Sequence, residues 1–239
     1  MGRLRVGILA SGRGTDFQSL VDARDRGDLA ADLVVLVCNV PGAPVIERAK
    51  KAGVATAVID HRTFGKNREA FEREVVKTLR EKQADLVVFA GFMRLVTTYF
   101  LGQFPMRIMN IHPSLLPAFP GAHAPRDALA AGVKVTGCTI HFIDASVDGG
   151  PIILQKAVAV RDDDTEETLA ARILEQEHIF LPLAVRLFAE GRLKVEGRRV
   201  RVDARGIPLP PMAKAPAQET QNKGPSRNPE RPRCGGMLV

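Results

Sequence analysis

The sequence predicts an α/β fold: a doubly wound, mostly parallel sheet with an antiparallel edge and a long C-terminal helix. Three observations predict it. Short apolar runs without polar alternation recur at Arg5–Ala10 (RVGILA), Leu33–Cys38 (LVVLVC) and Asp85–Ala90 (DLVVFA), as expected of strands covered on both faces. Helical patterns lie between them, so the order reads β-α-β-α-β. A later pair of long strand-like runs has only a short connection, which suits antiparallel neighbours.

Each element has its own justification. The first run leads into a glycine loop, Ser11–Phe17 (SGRGTDF), and a helix over Asp16–Arg26. A second helix is expected over Ala43–Ala52 and a third over Thr63–Lys82, where Phe71, Val75, Val76 and Leu79 form one apolar stripe among charges. Arg107–Asn110 reads as a strand end, stopped by Pro113. The runs Val133–Asp144 and Pro151–Val160 form the antiparallel edge. A helix follows over Thr165–Glu190, with Asp164 and Glu167 as a capping box and Gly191 after the last turn. Leu193–Val202 (LKVEGRRVRV) suggests a hairpin turning at Glu196-Gly197. Residues 1–202 therefore form the folded domain. From residue 203 to 239 the composition shifts to Pro, Gly, Gln, Asn and Arg, an expected disordered tail.

Bulk properties narrow the function classes. The chain has 239 residues, 45% of them hydrophobic, and a net charge of +7. No apolar run approaches the roughly 18 residues of a membrane span, and the N-terminus fits a first strand better than a signal peptide. A cytoplasmic protein with no membrane partner is the expectation. Cys38, Cys138 and Cys234 are too few and too scattered for a disulfide scaffold or a zinc site, and no metal is expected. The basic residues are spread out and there is one Tyr and no Trp, so stacking platforms for nucleic acid are scarce. The charge suits attraction of anionic small molecules instead. Whether the chain is a monomer or a homodimer stays open.

The glycine loop lies where backbone N–H groups close on a phosphate at a helix N-terminus. The dinucleotide fingerprint fails: Phe17 stands where its third glycine belongs, and Cys38-Asn39, not an acid, ends the second strand. A phosphate-ester site and a purely structural tight turn both remain open. The second motif is Met109–Gly121 (MNIHPSLLPAFPG), with prolines at 113, 117 and 120. Side chains two apart on a strand share a face, so Asn110 and His112 point into one cleft. An amide donor and a proton-carrying imidazole suit acyl transfer. A structural hydrogen-bonding histidine is the plainer alternative. Asp144–Pro151 (DASVDGGP) supplies Asp148 at a glycine turn, where a carboxylate near His112 would stabilise an imidazolium. A plain turn aspartate reads equally well from DGG alone. His141, inside a strand, reads as packed and hydrogen-bonded.

Taken together, ILASGRGT, FAGFMRLV, MNIHPSLLPAFPG, GCTIHFIDASVDGGPIILQ and EQEHIFLPL resemble, over about residues 3–202, the phosphoribosylglycinamide formyltransferase family of folate-dependent formyltransferases. The resemblance implies formyl transfer from 10-formyltetrahydrofolate to the amine of glycinamide ribonucleotide, a step of purine synthesis. It implies that Asn110, His112 and Asp148 are catalytic and that Leu116-Pro117 is cis. Gly14, Thr15, Asp16 and Phe17, with Leu174, Glu175, Gln176 and Glu177, would hold the ribonucleotide's phosphate and ribose. Arg68, Met93, Arg94, Leu95 and Val96, with Asn110 and Asp144, Ala145, Ser146, Val147 and Asp148, would frame the folate. Asp16 and Leu174 depart from the pattern, since many relatives carry Asn at the first and a phosphate donor at the second. Asp16 is expected to offer its backbone N–H and turn its carboxylate to cap the helix start. Arg13 or another base would replace the missing donor. The related formyltetrahydrofolate deformylases carry an N-terminal regulatory domain and the methionyl-tRNA formyltransferases a C-terminal barrel, for which the sequence shows no room. A phosphate- or RNA-binding module without catalysis would leave the Asn110, His112 and Asp148 arrangement unexplained.

Overall fold

The computed structural model describes residues 2–207; Cys234 and the expected tail from residue 208 onward lie outside the described residues. In chain order the elements are β1 (Leu4–Ala10), α1 (Thr15–Asp25), β2 (Ala31–Cys38), α2 (Pro44–Lys51), β3 (Thr56–Val58), a 3-10 turn (His61–Phe64) and α3 (Arg68–Glu81). There follow β4 (Leu86–Phe89), α4 (Thr98–Gln103), β5 (Ile108–His112), α5 (Ala124–Ala130), β6 (Val135–Phe142), β7 (Ile152–Ala159), α6 (Glu166–Ala189), β8 (Leu193–Glu196) and β9 (Arg199–Val202). Among the described residues they form one nine-stranded sheet in the order β3-β2-β1-β4-β5-β6-β7-β9-β8. Strands β3, β2, β1, β4 and β5 run parallel. Then β6 and β7 pair antiparallel, as the sequence predicts.

Two apolar layers cover the sheet. Phe17 and Leu20 of α1, Val45 of α2 and Leu181 and Val185 of α6 pack on Val6, Ile8, Met109 and Ile111. On the opposite face Phe71, Val75, Val76 and Leu79 of α3 and Phe100 of α4 cover Leu9, Val87, Phe89 and Ile108. The stripe read in the third helix is thus its buried face. The chain winds outward from β1 to β3, then returns to β4 on the other side of β1. Such a reversal places the switch point at the carboxyl ends of β1 and β4, where the loops that follow them meet through the Ser11 N–H and the Gly91 carbonyl.

The sequence reading needs four corrections of detail. The helix expected from Thr63 is interrupted: Gly65 takes φ +55°, and α3 starts afresh with the Asn67 side chain accepting from the Ala70 N–H. Strand β3, three residues long, was too short to give an apolar run. The cap of α6 lies one residue later than expected. Thr165 accepts from the Thr168 N–H, and the Thr168 hydroxyl accepts from the Thr165 N–H. Asp164 instead takes the Arg172 guanidinium and the Arg161 N–H, a charge-assisted pairing stronger than a neutral cap. Finally, ordered chain continues past Val202. The Asp203 N–H bonds the Arg192 carbonyl, Arg192 Nη1 donates to the Arg205 carbonyl at 2.6 Å, and Ile207 is buried.

Candidate active site

Strand β5 carries the first two groups. Asn110 and His112 share one face, as their spacing requires. Directly opposite them on β6 lie His141 and Thr139; facing residues of an antiparallel pair project from the same side. Ile111 and Met109 point the other way, into the core beneath α1 and α6. The polar row thus occupies a single patch of an otherwise apolar sheet. Thr139 donates to the Ser114 carbonyl and accepts from the Leu116 N–H, and Gln155 of β7 donates to the Leu116 carbonyl. These bonds hold the loop after β5, in which Leu116-Pro117 is cis.

The partners of each histidine fix its protons. His112 Nε2 lies 2.8 Å from the Phe119 carbonyl. A carbonyl only accepts, so Nε2 carries hydrogen. Nδ1 faces Asp148 Oδ2 at 3.5 Å, which makes Nδ1 the nitrogen that gains and loses a proton. His141 Nδ1 lies 2.9 Å from the Phe142 carbonyl and is protonated for the same reason. Burial pushes the His141 pKa down, so the ring is neutral and its Nε2 accepts. The Asn110 amide donates to that nitrogen at 3.2 Å, leaving its second hydrogen free. His141 is packed and hydrogen-bonded, as its sequence context suggests, yet it also orients the amide and lies 4.0 Å from Asp148 Oδ1.

Asp148 arrives on the loop between β6 and β7. The loop leaves beside the start of β5, where the Ile143 N–H bonds the Ile108 carbonyl. Asp148 itself takes φ +51°, a left-handed conformation that Asp tolerates better than most residues. Gly150 is required: a Cβ there would lie 1.9 Å from the Phe142 carbonyl oxygen. The Asp148 Oδ2 also accepts from the Gly121 N–H at 2.8 Å, so the carboxylate joins the loop after β5 to the loop after β6. Within the same loop the Ser146 N–H bonds Asp144, while Ala145, Ser146 and Val147 are exposed.

The glycine loop caps α1 with Gly14 at φ +73°, and a side chain there would collide with Val45 of α2. No side chain caps α1, which corrects the expected role of Asp16. Asp16 sits in the first turn, two residues after the N-cap Gly14, yet its side chain makes no cap hydrogen bond. Its carboxylate turns instead toward α6, with Oδ1 buried, unpartnered and 3.8 Å from His178 Nε2. Glu177 is buried beside it. Burial raises the pKa of both carboxyls, and the Asp16 charge pushes Glu177 further. Thr15 opens the helix, Phe17 is fully buried, Leu174 and Gln176 are half-buried, and Glu175 is exposed. Arg48 of α2, which the sequence did not single out, donates to the Arg13 carbonyl and so braces the loop.

The segment after β4 lies next to this loop. The Met93 N–H donates to Ser11 Oγ, which in turn donates to Asn39. Met93 and Leu95 are 73% and 58% exposed and Val147 is 57% exposed, large apolar side chains suited to a flat ring system. Arg94 stacks on Phe71 of α3, and Val96 packs in the same cluster as Ile143. Buried Glu72 accepts from the Thr97 N–H and hydroxyl, anchoring the segment's end; its sequence context, a charge on a charged helix, hid this role. Arg68 is exposed at the first position of α3, three residues before Phe71. Among the described residues no hydrogen bond or ion pair ties its side chain to the other site residues. Among the described residues no cluster of His, Cys, Asp or Glu has the makings of a metal site, and no helix is long and apolar enough to cross a membrane.

Known proteins share this arrangement of elements. The chain is 37% identical over 205 residues to the phosphoribosylglycinamide formyltransferase of Escherichia coli (strain K12), covering 86% of this chain and 96% of that protein. It is 42% identical over 193 residues to the trifunctional purine biosynthetic protein adenosine-3 of Gallus gallus, covering 81% of this chain and spanning only 19% of that relative's length. The crystal structure of glycinamide ribonucleotide transformylase 1 from Symbiobacterium toebii superposes with a TM-score of 0.82 at 49% identity, covering 84% of this chain and 94% of the other. A formyltetrahydrofolate deformylase from Pseudomonas syringae pv. tomato follows at a TM-score of 0.78 and 26% identity, covering 84% and 66%. Residues 4–185 match the formyl transferase family, and the chain belongs to it.

Proposed function

We propose that the chain is a phosphoribosylglycinamide formyltransferase, acting in the cytoplasm on 10-formyltetrahydrofolate and glycinamide ribonucleotide in purine biosynthesis. The observation that carries the reading is the meeting of Asn110 and His112, from strand β5, with Asp148, from the loop between β6 and β7. The free Asn110 N–H is aimed to receive the formyl oxygen as the ribonucleotide amine attacks. A preorganised donor of this kind is worth about 3–4 kcal/mol in the transition state. His112 Nδ1–H supplies the second donor, with Asp148 opposing the ring's positive charge. As the carbon–nitrogen bond to the amine forms and that to the folate nitrogen breaks, one proton leaves the amine and one reaches the folate nitrogen. His112 Nδ1 is the atom able to relay it. The substrate amine is the nucleophile, so no side chain is acylated and no metal is invoked.

The same reading places the phosphate on the uncapped N-terminus of α1 at Gly14–Phe17, the ribose near Glu177 and the folate ring over Met93–Val96 and Asp144–Asp148. Formyl transfer is tested by following 10-formyltetrahydrofolate absorbance with and without ribonucleotide. Turnover is expected only when both are present. Equal turnover with water alone would mark a deformylase instead.

A further inference from the structure

Asp148 must be held in place, and the loop carrying it is poorly suited to hold itself. It runs through Gly149 and Gly150, the residues with the greatest backbone freedom, and Ala145–Val147 are exposed. Two hydrogen bonds tie it outward. One comes from Gly121 in another loop. The other comes from Arg198, whose Nη2 donates to the Gly149 carbonyl at 2.8 Å across 49 residues of sequence.

Arg198 has a rigid base. It occupies the turn of the β8–β9 hairpin, which is paired throughout from Leu193↔Val202 to Glu196↔Arg199. Leu193, Val195 and Val200 pack that hairpin on the core. The hairpin joins the sheet at Ile152↔Arg199, within two residues of Gly150. The Gly149–Gly150 peptide, one residue beyond Asp148, is thus gripped by an element fixed to the sheet. Arg201 of the hairpin pairs with Glu196 of the same hairpin, whereas the Arg198 side chain reaches away to the loop.

We infer that the β8–β9 hairpin braces the Asp148 loop, and that Arg198 is a positioning residue setting how fully Asp148 occupies its place beside His112 and the folate. The inference rests on the functional reading above for its kinetic consequence, but not for its structural one. The test compares the full-length protein with Arg198→Ala and Arg198→Lys. Hydrogen–deuterium exchange over residues 144–150 is expected to speed up in Arg198→Ala at unchanged Tm. The KM for 10-formyltetrahydrofolate should rise, or kcat fall, by about two- to tenfold, the span of one net hydrogen bond. The KM for the ribonucleotide should not move, and Arg198→Lys, still able to reach a carbonyl, should recover most of the loss. Unchanged exchange in the loop would overturn the brace. So would a kinetic loss that tracked a lowered Tm and touched both KM values alike. Absence of formyl transfer in the unaltered protein would instead defeat the functional reading and leave the exchange result to decide this one.

Discussion

At the scale of single residues, the Asn110 amide gives one hydrogen to His141, and in the proposed reaction the other would serve the reacting oxygen. This division assigns His141 a role exerted through Asn110, its 4.0 Å separation from Asp148 Oδ1 being too long for a hydrogen bond. Asn110→Ala should lower kcat by about 10²- to 10³-fold, and His112→Ala by about 10²- to 10⁴-fold, both with unchanged Tm. Asp148→Asn should likewise remove most activity. His141→Ala should lose less, because the freed amide still visits its working orientation. In the Asn110→Ala background, removing His141 should then cost nothing more. A fully additive double mutant would show that the imidazole acts independently. The spacing of Asn110 and His112 made their shared face legible from sequence alone. The partnership with His141 was not, because the pairing register of β5 and β6 is set across a connection of more than twenty residues. The alternation of Thr139 and His141 was the signal available: two polar side chains on one face of an apolar strand.

At the scale of elements, the packing of α1 on α6 buries Asp16 against Glu177 and His178. The sequence reading turns the Asp16 carboxylate to cap the helix start because a carboxylate beside a phosphate is unfavourable. Only the helix–helix contact, which sequence does not give, turned the carboxylate inward. Cys138 of β6 lies nearby, its thiol pushed up to about 12, chiefly by burial. Burial also lowers the pKa of His178, which Asp22 and Arg48 influence in opposite directions. Both carboxyls have folded-state pKa values above those of the unfolded chain. The folded protein therefore keeps protons that the unfolded chain releases. Their stabilising effect is complete below the ordinary carboxylate range and is lost as pH rises through the raised values. Asp16→Asn deletes one of these groups and the charge facing the other. Between about pH 4 and pH 8, its Tm should fall less steeply than that of the unaltered protein. Melting curves across that range at low salt would decide, and parallel slopes would show that the folded protein does not hold the Asp16 proton more tightly than the unfolded chain.

At the scale of the whole molecule, alternating apolar runs and helices made the doubly wound half legible, because burial on both faces leaves a mark in every strand. The far edge was less legible. Leu193–Val202 read as a hairpin, but nothing in ten residues says that it docks beside β7 and reaches Gly149, next to Asp148. The same edge decides where the functional chain ends. Composition drew the boundary at Val202, yet the Asp203 N–H, the Arg205 carbonyl and buried Ile207 all tie back to Arg192 or the core. Removing them forfeits the burial of the Ile207 side chain, worth about 1.5–3 kcal/mol, and the bonds that tie the chain to Arg192 at the base of the hairpin. Truncation after Val202 should therefore lower Tm by several degrees and weaken folate binding through the Asp148 loop. Truncation after Ile207 should leave both Tm and turnover unchanged. A drop in turnover on cutting after Ile207, at constant Tm, would give residues 208–239 a part in the reaction that their composition does not suggest.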